Sequence, residues 1–211
     1  SDVCSSDLEG RWTQGHRAIM EDQDCDVWLL NEVPDVTHLD GYSIHFTGEL
    51  MAPGRRWAAI LSRRELIGRP DPHPASAAAD ALGLTWCSSI LPWRACGTTP
   101  WGEGNTAQKT IRGIDQIING LPRTGLVWGG DWNHALTGPE YVGSLAGRAA
   151  IEDAARRLNL TVATRESPHR EPGLSAIDHI AVPAHIAVSG ACRIVAVDTR
   201  GRRLPDHDAY T

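Results

Sequence analysis

The sequence predicts an α+β chain in which mixed β-sheets are covered by helices. Three observations carry that expectation. Short apolar runs, readable as strands, come in clusters rather than alternating regularly with helices. A few longer stretches instead carry a 3.6-residue apolar period. No repeat or linker divides the 211 residues, enough for one domain with a sizeable core.

Taken in order, residues 1–8 show neither strand alternation nor a helical stripe. They look unrelated to the rest of the chain, so residues 1–10 are expected to be a non-native or disordered leader, with the domain over 11–211. Thr13 is a fitting N-cap for a helix whose apolar face begins at Ala18, Ile19 and Met20. Residues 26–31 read as a buried strand ending at Glu32, with Pro34 stopping it. Residues 42–47 alternate as a half-exposed strand, and 56–62 form another, with 51–54 a hairpin loop between them. The Pro- and Ala-rich stretch 70–81 reads as a loop with a helical turn. Residues 84–91 form a strand ended by Pro92, and the glycines and proline of 93–105 mark a long loop of the kind that often carries function. Asn105 or Thr106 caps a helix with Ile111, Ile114, Ile117 and Ile118 on one side, ended by Gly120. A strand over 125–128 runs into Gly129-Gly130-Asp131. Residues 145–159 form a second amphipathic helix, 160–163 a short strand and 165–173 a polar loop. Strands over 177–182 and 193–197 flank Pro183.

A formal net charge of −6 does not advertise nucleic-acid binding, yet an enzyme needs only a local basic groove. Arg55, Arg56, Arg63 and Arg64 offer such charge, or they simply solvate strand ends. Eight tryptophans against one phenylalanine fit core packing, although Trp93, Arg94 and Trp101 could contact substrate from the long loop. The five cysteines have no zinc-ligand spacing and are expected to be free, mostly buried thiols in a reducing compartment. No stretch approaches a membrane span and no secretory signal opens the chain. A cytoplasmic monomer with no membrane partner is therefore expected.

Four short motifs carry the chemistry: Leu29-Leu30-Asn31-Glu32, Gly130-Asp131-Trp132-Asn133, Ile177-Asp178-His179-Ile180 and Pro205-Asp206-His207. Acids at strand ends are costly to bury alone and far less so around a cation. Glu32 is poised to hold Mg²⁺ or Mn²⁺, or else is a solvated strand-end acid. Two glycines before Asp131 let the backbone turn tightly and approach a ligand. Asp131 could then take a proton from water, and Asn133 could hold a phosphoryl oxygen or orient that water. The alternative is an Asx-rich turn capping its own backbone. Asp178 and His179 face opposite sides of their strand, and Asp178 would be satisfied by fixing a catalytic imidazole, or by a structural ion pair. His207 could stabilise developing charge on phosphorus, while Asp206 joins the metal shell or steers the ring. A polar surface loop is the plain reading of that last motif.

In this order the four motifs resemble the endonuclease/exonuclease/phosphatase superfamily, over roughly residues 11–210. Leu-Asn-Glu32 matches its metal glutamate and Gly-Asp131-Trp-Asn133 its Gly-Asp-x-Asn. Ile-Asp178-His-Ile matches its Ile-Asp-x-Ile strand, and Asp206-His207 its Ser-Asp-His, with Pro205 in place of serine. The resemblance implies a four-layer α/β/β/α sandwich of two mostly antiparallel sheets flanked by helices. It implies a Mg²⁺- or Mn²⁺-dependent phosphoester hydrolase with Glu32 and Asp206 on the metal. Asp131 would be base or water-orienter, Asn133 would sit on the phosphate, and Asp178 would pair with His207. Nuclease or phosphodiesterase action on a phosphoester, nucleic acid included, is slightly favoured over small-molecule phosphatase action.

The chain also departs from the family. Its first strand, with a metal-network asparagine, is expected to be lacking, and so is the strand after Asp206-His207. The segment Ser89-Ile90-Leu91-Pro92-Trp93 has no tyrosine where many nuclease members place one. A truncated or degenerate member that keeps the fold without turnover is the competing reading. No Gly-x-Ser-x-Gly elbow, phosphate loop or dinucleotide fingerprint points to another enzyme class, and no serine sits on a nucleophile turn to use His207 and Asp178.

Overall fold

The computed structural model describes residues 2–197, 201–204 and 208–211. Asp206 and His207, with Pro205, lie outside the described residues, so the roles read for them in the sequence have no structural counterpart here.

The first sheet contains β1 (Val3–Asp7), β2 (Val27–Pro34), β3 (Ser43–Phe46), β4 (Leu50–Ala52), β5 (Arg55–Ser62), β12 (Arg193–Ile194) and β13 (Ala209–Tyr210). Its order is β12-β13-β1-β2-β5-β3, with β4 also on β5. The second sheet contains β6 (Ile67–Gly68), β7 (Ser76–Ala81), β8 (Leu84–Ser89), β9 (Leu126–Asp131), β10 (Leu160–Val162) and β11 (Asp178–Pro183), in the order β10-β11-β9-β8-β7-β6. Only β1·β2 and β8·β9 pair in parallel among the described strands.

Strand alternation builds the layers. Val27 and Leu29 point between the sheets with Ala58, Ile60, Trp86, Val127 and Ile180. Trp28 and Leu30, on the opposite face, pack with Met20 of α1 (Gln14–Gln23). On the far side, Cys87 and Trp128 meet α2 (Thr106–Gly120) and α3 (Leu145–Arg157) through Ile114, Ile117 and Ile151. The result is the expected four-layer α/β/β/α sandwich. Each helix starts where the sequence signals it: Thr13, Asn105 and Ser144 each accept a backbone N–H of the first turn. Among the described residues no helix is long and apolar enough to cross a membrane.

Four expectations fail. Residues 76–81 are not loop but β7, whose alanines are buried on both faces, Ala77, Ala79 and Ala81 toward the first sheet and Ala78 toward the helices. Alanine favours helix by intrinsic propensity, but here it sits between a sheet and closely packed layers, and tertiary context overrides that weak preference.

The amino-terminal residues 3–7 form β1, hydrogen-bonded to β2 and β13, and β13 supplies a strand after the aspartate-histidine motif. Neither strand shows a pattern, because Ser5, Ser6 and Asp7 interrupt the apolar run and β13 has two residues. Cys4 and Cys25 are not free thiols but a disulfide, since the β1·β2 pairing brings their Cα atoms to 6.2 Å. Cys87 and Cys96 are free and buried, and Cys192 is free and exposed.

Candidate active site

A cleft of about 400 Å³ opens where the ends of β1, β2 and β9 meet. It is lined by Asp7, Glu9, Arg11, Glu32, Arg55, Trp93, Asp131 and Asn133. Three of the four sequence-assigned residues with described positions, Glu32, Asp131 and Asn133, are therefore brought together.

The floor is built by β9. Gly129 and Gly130 are steric requirements: a Cβ on Gly129 would lie 2.6 Å from the His179 carbonyl oxygen, and one on Gly130 2.3 Å from that of Ser89. Gly130 also has φ +122, open to glycine and hostile to other residues. With the backbone so close to β8, Leu91 N–H donates to the Asp131 carbonyl at 2.9 Å. Asn133 then closes the turn. Its N–H donates to Asp131 Oδ1 at 3.0 Å, and its Nδ2 donates to Asp131 Oδ2 at 2.8 Å and to the Leu91 carbonyl at 3.0 Å. The Asx-turn reading and the catalytic reading are thus compatible, because the same bonds fix both side chains at the cleft.

The wall comes from β2. Asn31 continues the inward-facing row of Val27 and Leu29, and its Oδ1 accepts the Asp131 N–H at 2.9 Å. This bond spans a sequence separation of 100 and ties the two sheets at the cleft. The sequence displays Asn31 within its motif, but the signal for its bridging role appears only when the sheets stack. Glu32 has φ +49 and Asn133 φ +53. Asparagine tolerates this left-handed region, whereas for glutamate it costs about 1–2 kcal/mol. Backbone outliers of this kind cluster at functional sites. The conformation turns the Glu32 carboxylate into the cleft, where Arg55 Nη1 donates to Oε2 at 2.7 Å. Arg55, read in the sequence only as one of several basic strand-end residues, is a member of the site. So are Asp7, Glu9 and Arg11, which no motif announced.

Asp178 stands directly across from Asp131 in the antiparallel β9·β11 register and is 1% exposed. Its neighbour His179 points the other way, as strand period requires. The fully buried imidazole takes Thr164 Oγ1 at Nδ1 (3.2 Å) and donates from Nε2 to the His134 carbonyl (2.9 Å), the tautomer that satisfies both contacts. Burial pushes its pKa down to about 4, so it is a neutral structural histidine. Burial first, then the Asp178 charge, pushes the phenols of Tyr141 and Tyr210 upward. Both remain hydroxyl donors, to the Ser175 and Pro168 carbonyls. Asp208 is a structural anion, 3.5 Å from Arg193 and 3.4 Å from Arg203.

Among the described residues no group of three or more histidine, cysteine, aspartate or glutamate side chains is assembled to hold a metal ion. Among the described cleft residues, the side chains able to ligate a cation, Asp7, Glu9, Glu32, Asp131 and Asn133, offer oxygens, the set a hard cation such as Mg²⁺ or Mn²⁺ requires. Arg55 meanwhile neutralises Glu32.

No family profile matches the sequence, and no curated protein matches it. Solved structures match its fold. An AP endonuclease from Archaeoglobus fulgidus superposes with a TM-score of 0.74 at 15% identity, covering 99% of this chain and 97% of its own. The endonuclease domain of TRAS1, a telomere-specific non-LTR retrotransposon, gives 0.71 at 13%, covering 99% and 94%. A 3′–5′ exonuclease from Neisseria meningitidis gives 0.69 at 18%, covering 100% and 98%. The chain has the endonuclease/exonuclease/phosphatase fold. The four motifs, three of them resting on described strands or strand ends, occur here in the order that the resemblance requires.

Proposed function

We propose that the protein is a divalent-metal-dependent phosphoester hydrolase in which water attacks in line at phosphorus. The observation that carries this reading is the convergence of Glu32, Asp131 and Asn133 on one cleft, with Asp178 directly across the strand pair from Asp131. Asp131 is the base or orienter of the attacking water, and Asn133 holds a phosphoryl oxygen. Asp178 orients the imidazole of His207, which stabilises charge developing on phosphorus. Glu32 and Asp206 would hold Mg²⁺ or Mn²⁺, which supplies Lewis-acid polarisation and charge neutralisation when bound. The domain is taken to include β1 (Val3–Asp7), which pairs with β2 and lends Asp7 to the cleft, and to act as a monomer. Nuclease or phosphodiesterase action is favoured over small-molecule phosphatase action. The similar solved structures, two endonucleases and an exonuclease, support that preference.

A second reading, a member that keeps the fold without turnover, is favoured by one contact. Arg55 already occupies the Glu32 carboxylate, and a cation would have to displace it.

Nicking of supercoiled plasmid in Mg²⁺ or Mn²⁺ separates the two. Under the first reading nicking occurs and is lost with chelator, with Asp131→Ala and with His207→Ala, the last leaving folding nearly unchanged. Removing one catalytic base should cost about 10²- to 10⁴-fold. A folded protein that cleaves neither plasmid nor small phosphoesters would establish the second.

A further inference from the structure

Among the described residues, Trp93 is the one aromatic side chain lining a cleft whose other described walls are charged or amide groups. It is half-buried, and its placement is firmly fixed. Its ring meets Trp101 edge-on, with centroids 5.3 Å apart, and Trp101 meets Trp57 edge-on at 5.1 Å. Trp101 and Trp57 are buried, so Trp93 is the open end of a packed aromatic row.

The loop that carries Trp93 is tied down from three sides. Cys96 N–H donates to the Trp93 carbonyl at 3.1 Å, and Arg94 N–H to the Val142 carbonyl at 2.9 Å. From α2, the buried Lys109 Nζ donates to the carbonyls of Cys96 (3.0 Å) and Gly97 (2.9 Å). Arg112 grips the Trp101 carbonyl from Nε and Nη2 at 3.0 and 2.8 Å. Leu91, two residues before Trp93, exchanges hydrogen bonds with both Asp131 and Asn133. The indole is thereby held in fixed relation to the two residues assigned to the reacting phosphate. Core packing accounts for Trp57 and Trp101. It accounts for the side of the Trp93 indole that lies against their cluster, and not for its place in the lining of a polar cleft alongside Arg11 and Arg55.

We propose that Trp93 is a stacking platform for the base next to the scissile phosphate, so that the substrate is a nucleic acid strand. The inference rests on the phosphoester-hydrolase reading and narrows its substrate class. An aromatic ring lining a cleft beside cations is an arrangement that takes a base and its phosphate together, without regard to sequence. Phosphoesters lacking a planar group gain nothing from it.

The test uses two single-stranded oligonucleotides, one normal and one with abasic residues throughout, whose binding is measured by fluorescence anisotropy. The protein and its Trp93→Leu and Trp93→Phe variants are compared, with folding checked by thermal melting. Leucine keeps apolar packing but removes the π-face, and phenylalanine keeps a smaller one. The expected result is that the native chain prefers the base-bearing strand by about 5- to 100-fold. Trp93→Leu should abolish that preference and Trp93→Phe should retain part of it. The same preference in native chain and Trp93→Leu overturns the proposal. If the native chain shows no preference yet hydrolyses bis(p-nitrophenyl) phosphate, the platform falls and the hydrolase reading stands. A native chain that neither binds strands nor hydrolyses any phosphoester removes both.

Discussion

The two halves of the cleft are built on different principles. On the second sheet, Asp131 and Asn133 are each 6% exposed, and backbone contacts to Leu91, Asn31 and each other fix them. On the first sheet, the Glu32 side chain is 23% exposed and Arg55 32%, and one ion pair joins them. A hydrogen-bonded, backbone-anchored carboxylate keeps one geometry, as a group that must aim a water or hold a phosphoryl oxygen needs. An ion pair open to solvent is worth only about 0–1 kcal/mol and can exchange one partner for another. The rigid half suits positioning and the exchangeable half suits a cation that comes and goes.

If that contrast is right, the rigid half should be intolerant of added volume. Gly130→Ala places a Cβ 2.3 Å from a backbone oxygen and 2.9 Å from a backbone nitrogen of Ser89, at φ +122. We expect a stability loss of roughly 3 kcal/mol or more, read from urea melts. A loss under about 1 kcal/mol would show that β8 and β9 yield, and the contrast would collapse.

Acid should find the buried support of that half next. His179 and His73 both have pKa values lowered to about 4 from 6.5, by burial above all. The unfolded chain therefore takes up their protons first as pH falls. Their contribution is complete above pH 6.5 and drains away as pH drops through 6.5 toward 4, by about 3 kcal/mol for each. His73 Nδ1 accepts the Ala75 N–H, a bond that protonation destroys. His179→Gln should flatten part of the slope of urea midpoint against pH between 7 and 4. An unchanged slope would mean that the imidazole is not held neutral.

The smallest effect belongs to the exchangeable half. Arg55→Met should change folding stability by no more than about 1 kcal/mol, because the pair it breaks is partly solvated. Calorimetry should show tighter Mn²⁺ binding once Glu32 loses its competitor. Weaker binding would mean that the guanidinium supports the site instead of blocking it.

Much of the fold was legible residue by residue. Thr13 and Asn105 announce their helices, since capping is a local bond between neighbours in sequence. The apolar run through Trp28 and Leu30 announces β2, and Gly129-Gly130-Asp131 announces a backbone that must pass close to something. The alanines of β7 were unreadable because alanine is silent about strands and its role there is to be small. The serines of β1 were misread because their burial depends on the strands on either side. Of the site, Glu32, Asp131, Asn133 and Asp178 stood out as acids and amides at strand ends. Asn31 did not, and Arg55 and Trp93 were only two of several candidates, since their parts are defined by groups far away in the chain.

The division follows the range of the interactions. Periodicity, caps and the glycine turn are set within a few residues, so the sequence alone established most of the elements and the candidate carboxylates, while the layer architecture followed only from the family resemblance. Which carboxylates share a cleft depends on strand order and on the stacking of one sheet on the other. The bond from Asp131 to Asn31, across 100 residues, exists only because both of those are settled. Loop closure over such distances carries no local signature, since it is stabilised collectively by the core between the sheets.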